Sequence, residues 1–309
     1  MVSTRWAASA GRPEIVIFGI AGITACSVLL IMGFIGATAA PVLMKEGLGF
    51  LTGTVWNFES GSYGIVIYFL GTLVLALLTL VLAIPLGLLT AVYLAEWAPA
   101  RLEQVLRPAI ELLVGIPSVV FGIFALFVLE PFFRDFVDPA IANTLGVIPW
   151  FHNDMPQSGA TVLLAACVLA IMVMPTIVVL SQEAMKSVPQ GMKEASLALG
   201  ATRWETMRGI VFPVAFPGIV TGIILALMRA MGETMAVAMI LGGTSQIPSS
   251  VLGSAYPMTV KILNDINFWI AMDEPRSALF GIAFVLLILE IGFVGIIRAI
   301  SVSIRRRMG

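Results

Sequence analysis

Two residues of opposite charge interrupt an otherwise apolar stretch from Gly209 to Gly243: Arg229 and Glu233. A guanidinium presents five donors in a planar fork, keeps its proton at physiological pH and suits two oxyanion oxygens at once. A carboxylate four residues on lies one helical turn away, so on an unbroken helix the two share a face and can pair. An ionised side chain at the centre of a membrane span costs about 2.5 to 3.5 kcal/mol on insertion scales, and such residues mark ion paths or relays by default. The chemistry expected of such a pair is reversible capture of an oxyanion. Arg229 is then expected to line a path and bind the anion briefly, and Glu233 to hold Arg229 between passages, with Thr234 beside it. The competing account is a buried ion pair that fixes helix register without touching substrate. Ser118, just after Pro117, opens another apolar run, where a proline frees a backbone carbonyl that can line a cavity.

These residues need a membrane scaffold. Of 309 residues, 59% are hydrophobic and 11% charged, with a mean hydropathy of +1.03. Ordinary soluble domains are about a quarter charged. A bilayer core is crossed by about 20 helical residues, so the apolar runs predict an all-α polytopic protein with six spans, at about 15–40, 64–95, 109–129, 157–181, 211–242 and 277–298. They form one membrane domain over 15–303, between an N-terminal segment 1–14 and a basic tail 304–309. The first run exceeds the apolar core of a secretory signal and reads as a retained anchor helix. Only Glu290 interrupts the last run, and a structural pairing suits it.

Charge asymmetry orients the spans. Twelve basic residues (Arg5, Arg12, Arg101, Arg107, Lys186, Lys193, Arg203, Arg208, Arg298, Arg305, Arg306 and Arg307) fall on one side, and four (Lys45, Arg134, Lys261 and Arg276) on the other. Positive residues collect in the cytoplasm. Both termini and the polar loop 182–210 are therefore expected there. That loop carries Glu194-Ala195-Ser196, Gly200, then Ile210, Phe212 and Pro213.

The loop resembles the coupling-loop signature of ABC importer permeases, E-A-A-x3-G-x9-I-x-L-P, with Ser196 and Phe212 as departures. RAMGETMAV from Arg229 and GIPSVVFGIF from Gly115 are similar to the phosphate-specific, PstC-type permeases of that superfamily. The resemblance implies a type I permease core. Its short helix from about Pro189, broken at Gly200, would be a knob seated in the cleft of a separate ATPase. Glu194, Ala195, Ser196, Gly200, Ile210 and Pro213 would form the coupling element. Further implications are a heterodimer with a PstA-type permease, two PstB-type ATPase subunits that bind ATP and magnesium, and a phosphate-binding protein outside. No cofactor is then expected in this chain. Glu233 could accept a hydrogen bond from protonated phosphate, which deprotonated sulfate cannot offer. Sulfate or molybdate permeases share an Arg-x-x-Gly-Glu pattern and remain an alternative. A secondary anion transporter is a further one, although it needs no cytoplasmic knob and typically has internal repeats.

Walker A needs Gly-Lys before Ser or Thr, and none of the four lysines follows a glycine. The chain is accordingly expected to be a permease without an ATPase site. Nothing in it points to nucleic acid, while the basic tail suits lipid headgroups. Cys26 and Cys167 are expected to be buried free thiols, and His152 has no metal-site partners at ligand spacing. Pro85 is expected to kink the second span. Glu96 to Pro108 is expected to be an interfacial helix with an apolar edge at Leu102, Val105 and Leu106, which Pro99 and Pro108 keep from being one continuous helix. Glu130, Asp135, Asp138, Asp154, Asp265, Asp273 and Glu274 form an acidic outer face, a docking surface or a solvated rim. Thr244 to Asn264, too broken for a span, suits an outer gate.

Overall fold

A computed structural model describes residues 12–152 and 158–308. Arg5 and Asp154 lie outside the described residues, as do the side chains of Arg12 and Arg305 to Arg307. The chain begins with α1 (Arg12–Glu46) and the short α2 (Leu48–Thr52), followed by an antiparallel hairpin of β1 (Trp56–Asn57) and β2 (Ser62–Tyr63). Next come α3 (Val66–Val92), extended by a π-helical turn to Trp97, and α4 (Ala100–Val114). α5 (Ser118–Phe124), α6 (Glu130–Phe132) and α7 (Asp138–Leu145) follow one another through two π-helical turns. α8 (Val162–Lys186) leads into a helical knob of α9 (Gln190–Ala198) and α10 (Arg203–Thr206). α11 (Phe212–Gly232), α12 (Met235–Leu241), α13 (Met258–Trp269) and α14 (Asp273–Met308) complete the fold.

Among the described residues five helices are long and apolar enough to cross a membrane, and six if the path from α4 through α7 is one bent span. α8 is the hub. Its Ala165 and Ala166 are fully covered and Ala170 nearly so, and small residues bring the neighbouring helices close: Gly87 of α3 lies against Ile177 and Gly218 of α11 against Ala184. Thr72 and Thr79 of α3 return their hydroxyl protons to carbonyls one turn back, so the buried oxygens need no water. α1 has little cover. It packs on α14, with Phe34 edge-to-face on Phe280 at 5.7 Å, while Phe18, Leu29 and Leu30 face outward. Cys26 therefore sits exposed on α1 and Cys167 is half-buried; both are free thiols, but neither is shielded as expected.

The third span departs from its expected start at 109. α4 continues through Pro108 to Val114, and the chain then turns by 91° into the helical path that begins at Ser118. Pro108 lies on an exposed face, and α4 runs on through it. Pro117 ends helical geometry instead, because proline disfavours helical backbone in the residue before it. Val105 and Leu112 are exposed along α4, whereas Glu103 and Arg107 reach α8. The fifth run, expected as one span over 211–242, is two helices.

Candidate functional site

α11 stops at Gly232, and Glu233 is extended, with φ −68° and ψ 123°. Three side-chain hydrogen bonds, two local and one long-range, build this break. Thr234 Oγ1 donates to the Gly232 carbonyl at 3.1 Å, and Thr259 Oγ1, from α13, donates to the Glu233 carbonyl at 3.2 Å. Glu233 Oε1 accepts from the Ala236 N–H at 3.3 Å, capping α12. A membrane helix can be broken where side chains answer the freed backbone groups, and each of these hydrogen bonds does so.

The break overturns one expectation. Arg229 and Glu233 are not on one continuous helical face, and among the described residues no carboxylate lies within ion-pair distance of Arg229. Glu233 points its carboxylate along the backbone to α12 instead. Arg229, Glu233 and Thr234 are all half-buried. Ser118 starts α5 one turn before Gly122 and shares its face. A Cβ on Gly122 would lie 3.1 Å from Ala236 Cα and 2.9 Å from Met239 Sδ. The face bearing Ser118 is thus pressed against α12, although no hydrogen bond joins Ser118 to Arg229 or Glu233 among the described residues. Sequence reasoning missed Thr259; the available signal was Gly232 followed by Thr234, a helix stop beside a helix start.

At the other end, Pro189 precedes α9, and Gly200 turns the chain with φ +86°, a conformation that favours glycine. A capping box between Thr202 and Glu205 then starts α10. Glu194, Ala195 and Gly200 are exposed; Ser196, Ile210 and Pro213 are half-buried. Ser196, the departure from the signature, has a partner: its Oγ lies 2.9 Å from Thr206 Oγ1. Met192, Leu197, Leu199 and Trp204 leave an apolar crown on this knob, Leu199 being 90% exposed. Below the crown Lys193 pairs with Glu96, at the end of α3.

Three comparisons bear on this architecture. Residues 83–306 match the family described as binding-protein-dependent transport system inner membrane component. The phosphate transport system permease protein PstC of Xylella fastidiosa is 37% identical over 86% of this chain and 82% of its own length. A probable ABC transporter permease protein of Bacillus subtilis, YqgH, is 33% identical over 90% and 88%. Among solved structures, the inward-facing MetNI methionine ABC transporter aligns with a TM-score of 0.53 at 19% identity, covering 79% of this chain and 96% of that one, which speaks to fold alone. A bundle with a broken fifth helix and a projecting helical knob, matched over most of its length, places this multi-pass membrane chain in the binding-protein-dependent transport system inner membrane component family.

Proposed function

We propose that this chain is one permease subunit of an ATP-driven importer that carries inorganic phosphate across the cytoplasmic membrane by alternating access, with Arg229 as the anion's contact. One observation carries the reading. An arginine stands half-buried in the last turn of a membrane-length helix with no carboxylate in ion-pair range among the described residues. A desolvated, unpaired guanidinium is costly, and a passing oxyanion supplies the missing charge and two acceptors.

Glu233 then has a different task from clamping Arg229. Its Oε1 holds α12, while Oε2 accepts no hydrogen bond among the described residues and is available to a protonated phosphate. Relatives named as phosphate permeases support this substrate. The apolar crown of α9 and α10 suits a cleft in an ATPase subunit, on the cytoplasmic side with both termini. ATP and magnesium reside in that partner, a second permease chain forms the other half of the path, and an external binding protein delivers the anion.

The test is uptake of labelled phosphate by vesicles holding the assembled transporter and luminal ATP. Uptake should need ATP, resist excess sulfate and molybdate, yield to arsenate, and fall at least tenfold in Arg229→Gln. Normal uptake by that variant at normal expression sinks the role of Arg229. Preferential uptake of sulfate or molybdate moves the chain to the other oxyanion class.

A further inference from the structure

At the end of the bundle opposite the α9–α10 knob, a lysine is buried in rings. Lys261, in the first turn of α13, is 6% exposed. Its ammonium lies 4.9 Å from the ring centre of Trp56, 5.1 Å from Tyr68, and 5.6 Å from both Phe58 and Tyr256. One turn on, an Asp265 carboxylate oxygen lies at 2.7 Å. Four aromatic faces and a carboxylate answer a charge that would otherwise be costly to bury. α13 lies outside the membrane-length helices; burial pushes the lysine's pKa down and Asp265 pulls it back up.

Separate parts of the chain build the box: the hairpin supplies Trp56 and supports Phe58, α3 supplies Tyr68, and the approach to α13 supplies Tyr256. The same turn of α13 is tied on both flanks. The Met258 N–H donates to Thr72 Oγ1 of α3 at 2.9 Å, and Thr259 donates to the Glu233 carbonyl. Lys261 thus sits two residues from the hydroxyl that holds the broken helix. The intervening segment begins at Gly242 and Gly243, with φ +66° and +104°. It closes with the Tyr256 ring against Gly243, where a Cβ would approach to 2.8 Å.

We infer that Lys261 is a positioning residue: seated in its aromatic box, it pins the first turn of α13 and so holds the Glu233–Thr234 break, and the segment from Gly243 to Tyr256, in their packed arrangement. The inference rests on the transport reading for its consequence, but not for its geometry. Losing the pin frees the segment after Gly243 and exposes the break.

The experiment uses the assembled transporter in vesicles, with Cys26→Ala and Cys167→Ala as background and Val237→Cys, fully buried in the first turn of α12 beside the break, as reporter. Reaction with a membrane-impermeant thiol reagent is timed without ATP. Lys261→Met keeps the stem and removes the charge; it should raise the labelling rate at least fivefold, and Lys261→Arg should leave it near the parent rate. In the native-cysteine background, Lys261→Met should also lower phosphate moved per ATP hydrolysed. Lys261→Met/Asp265→Asn, which leaves no orphaned carboxylate, carries the same expectation if the single variant fails to assemble. Unchanged labelling overturns the inference, whatever happens to uptake. Failure of both charge-removing variants to assemble, with Lys261→Arg normal, also overturns it in favour of a role in folding alone. If the parent moves no phosphate, the transport reading fails while the labelling result still decides the pin.

Discussion

The hydroxyl of Thr259 donates to the carbonyl of Glu233 across 26 residues of chain, at 3.2 Å. That bond joins the start of α13 to the place where α11 stops. Thr259 is buried, so its loss leaves a backbone acceptor short of a donor. A buried neutral hydrogen bond contributes about 0.5 to 1.5 kcal/mol. Thr259→Val, which keeps the shape, should destabilise the purified transporter by about that free energy, read as a lowered thermal midpoint. Thr259→Ser should retain most of it.

Gly122 marks where α5 meets α12. Because a Cβ there would come within 3.1 Å of Ala236 Cα and 2.9 Å of Met239 Sδ, Gly122→Val must push the helices apart. Overpacking of this kind costs about 1 to 3 kcal/mol. Denaturation in detergent should show the loss. Met239→Ala should recover only the part due to the sulfur, since Ala236 Cα moves only with α12.

The class of the protein and its helical runs were legible because composition and run length are local properties. The knob was legible too: Pro189 and Gly200 act within a few residues of themselves, and the structure adds the equally local Thr202–Glu205 box. The break at Gly232 was not. A spacing of four between Arg229 and Glu233 describes a shared face only if the helix continues, and what stabilises its interruption includes Thr259, far along the chain. Pro108 is expected to break a helix and Pro117 to sit inside one; the structure reverses the two, with α4 running through Pro108 and α5 starting only after Pro117. Lys261 counted simply as one outer cation, since its rings come from residues 56, 58, 68 and 256.

Ser196 and Thr206 offer a local check on the knob. Their hydroxyl oxygens are 2.9 Å apart and Thr206 is buried. Ser196→Ala should cost about 1 kcal/mol by stranding the Thr206 hydroxyl. Adding Thr206→Val should return part of it, giving a coupling energy in a double-mutant cycle on thermal unfolding. Independent effects would show that the two hydroxyls do not depend on each other.

Glu103 offers a check on how force leaves the knob. On α4 it pairs with Lys186, the last residue of α8, and accepts from Gln182 Nε2 at 2.9 Å. One turn on, Arg107 reaches Glu183 at 2.6 Å. If the knob moves as proposed, these pairs carry the movement to α4 as well as to the helices it joins. α4 turns by 91° into α5, and α5 rests on α12 beside the break. A partly exposed ion pair is worth about 0 to 1 kcal/mol, and stranding the buried Gln182 amide costs about 1 to 3 kcal/mol, so Glu103→Lys should lower stability measurably. At matched assembly it should also lower phosphate imported per ATP hydrolysed severalfold, because α4 no longer follows α8. The exchange Glu103→Lys/Lys186→Glu should restore the ratio. A physical path alone is no proof of coupling; a wild-type ratio in the single variant would mean that α4 rides passively at the end of the bundle.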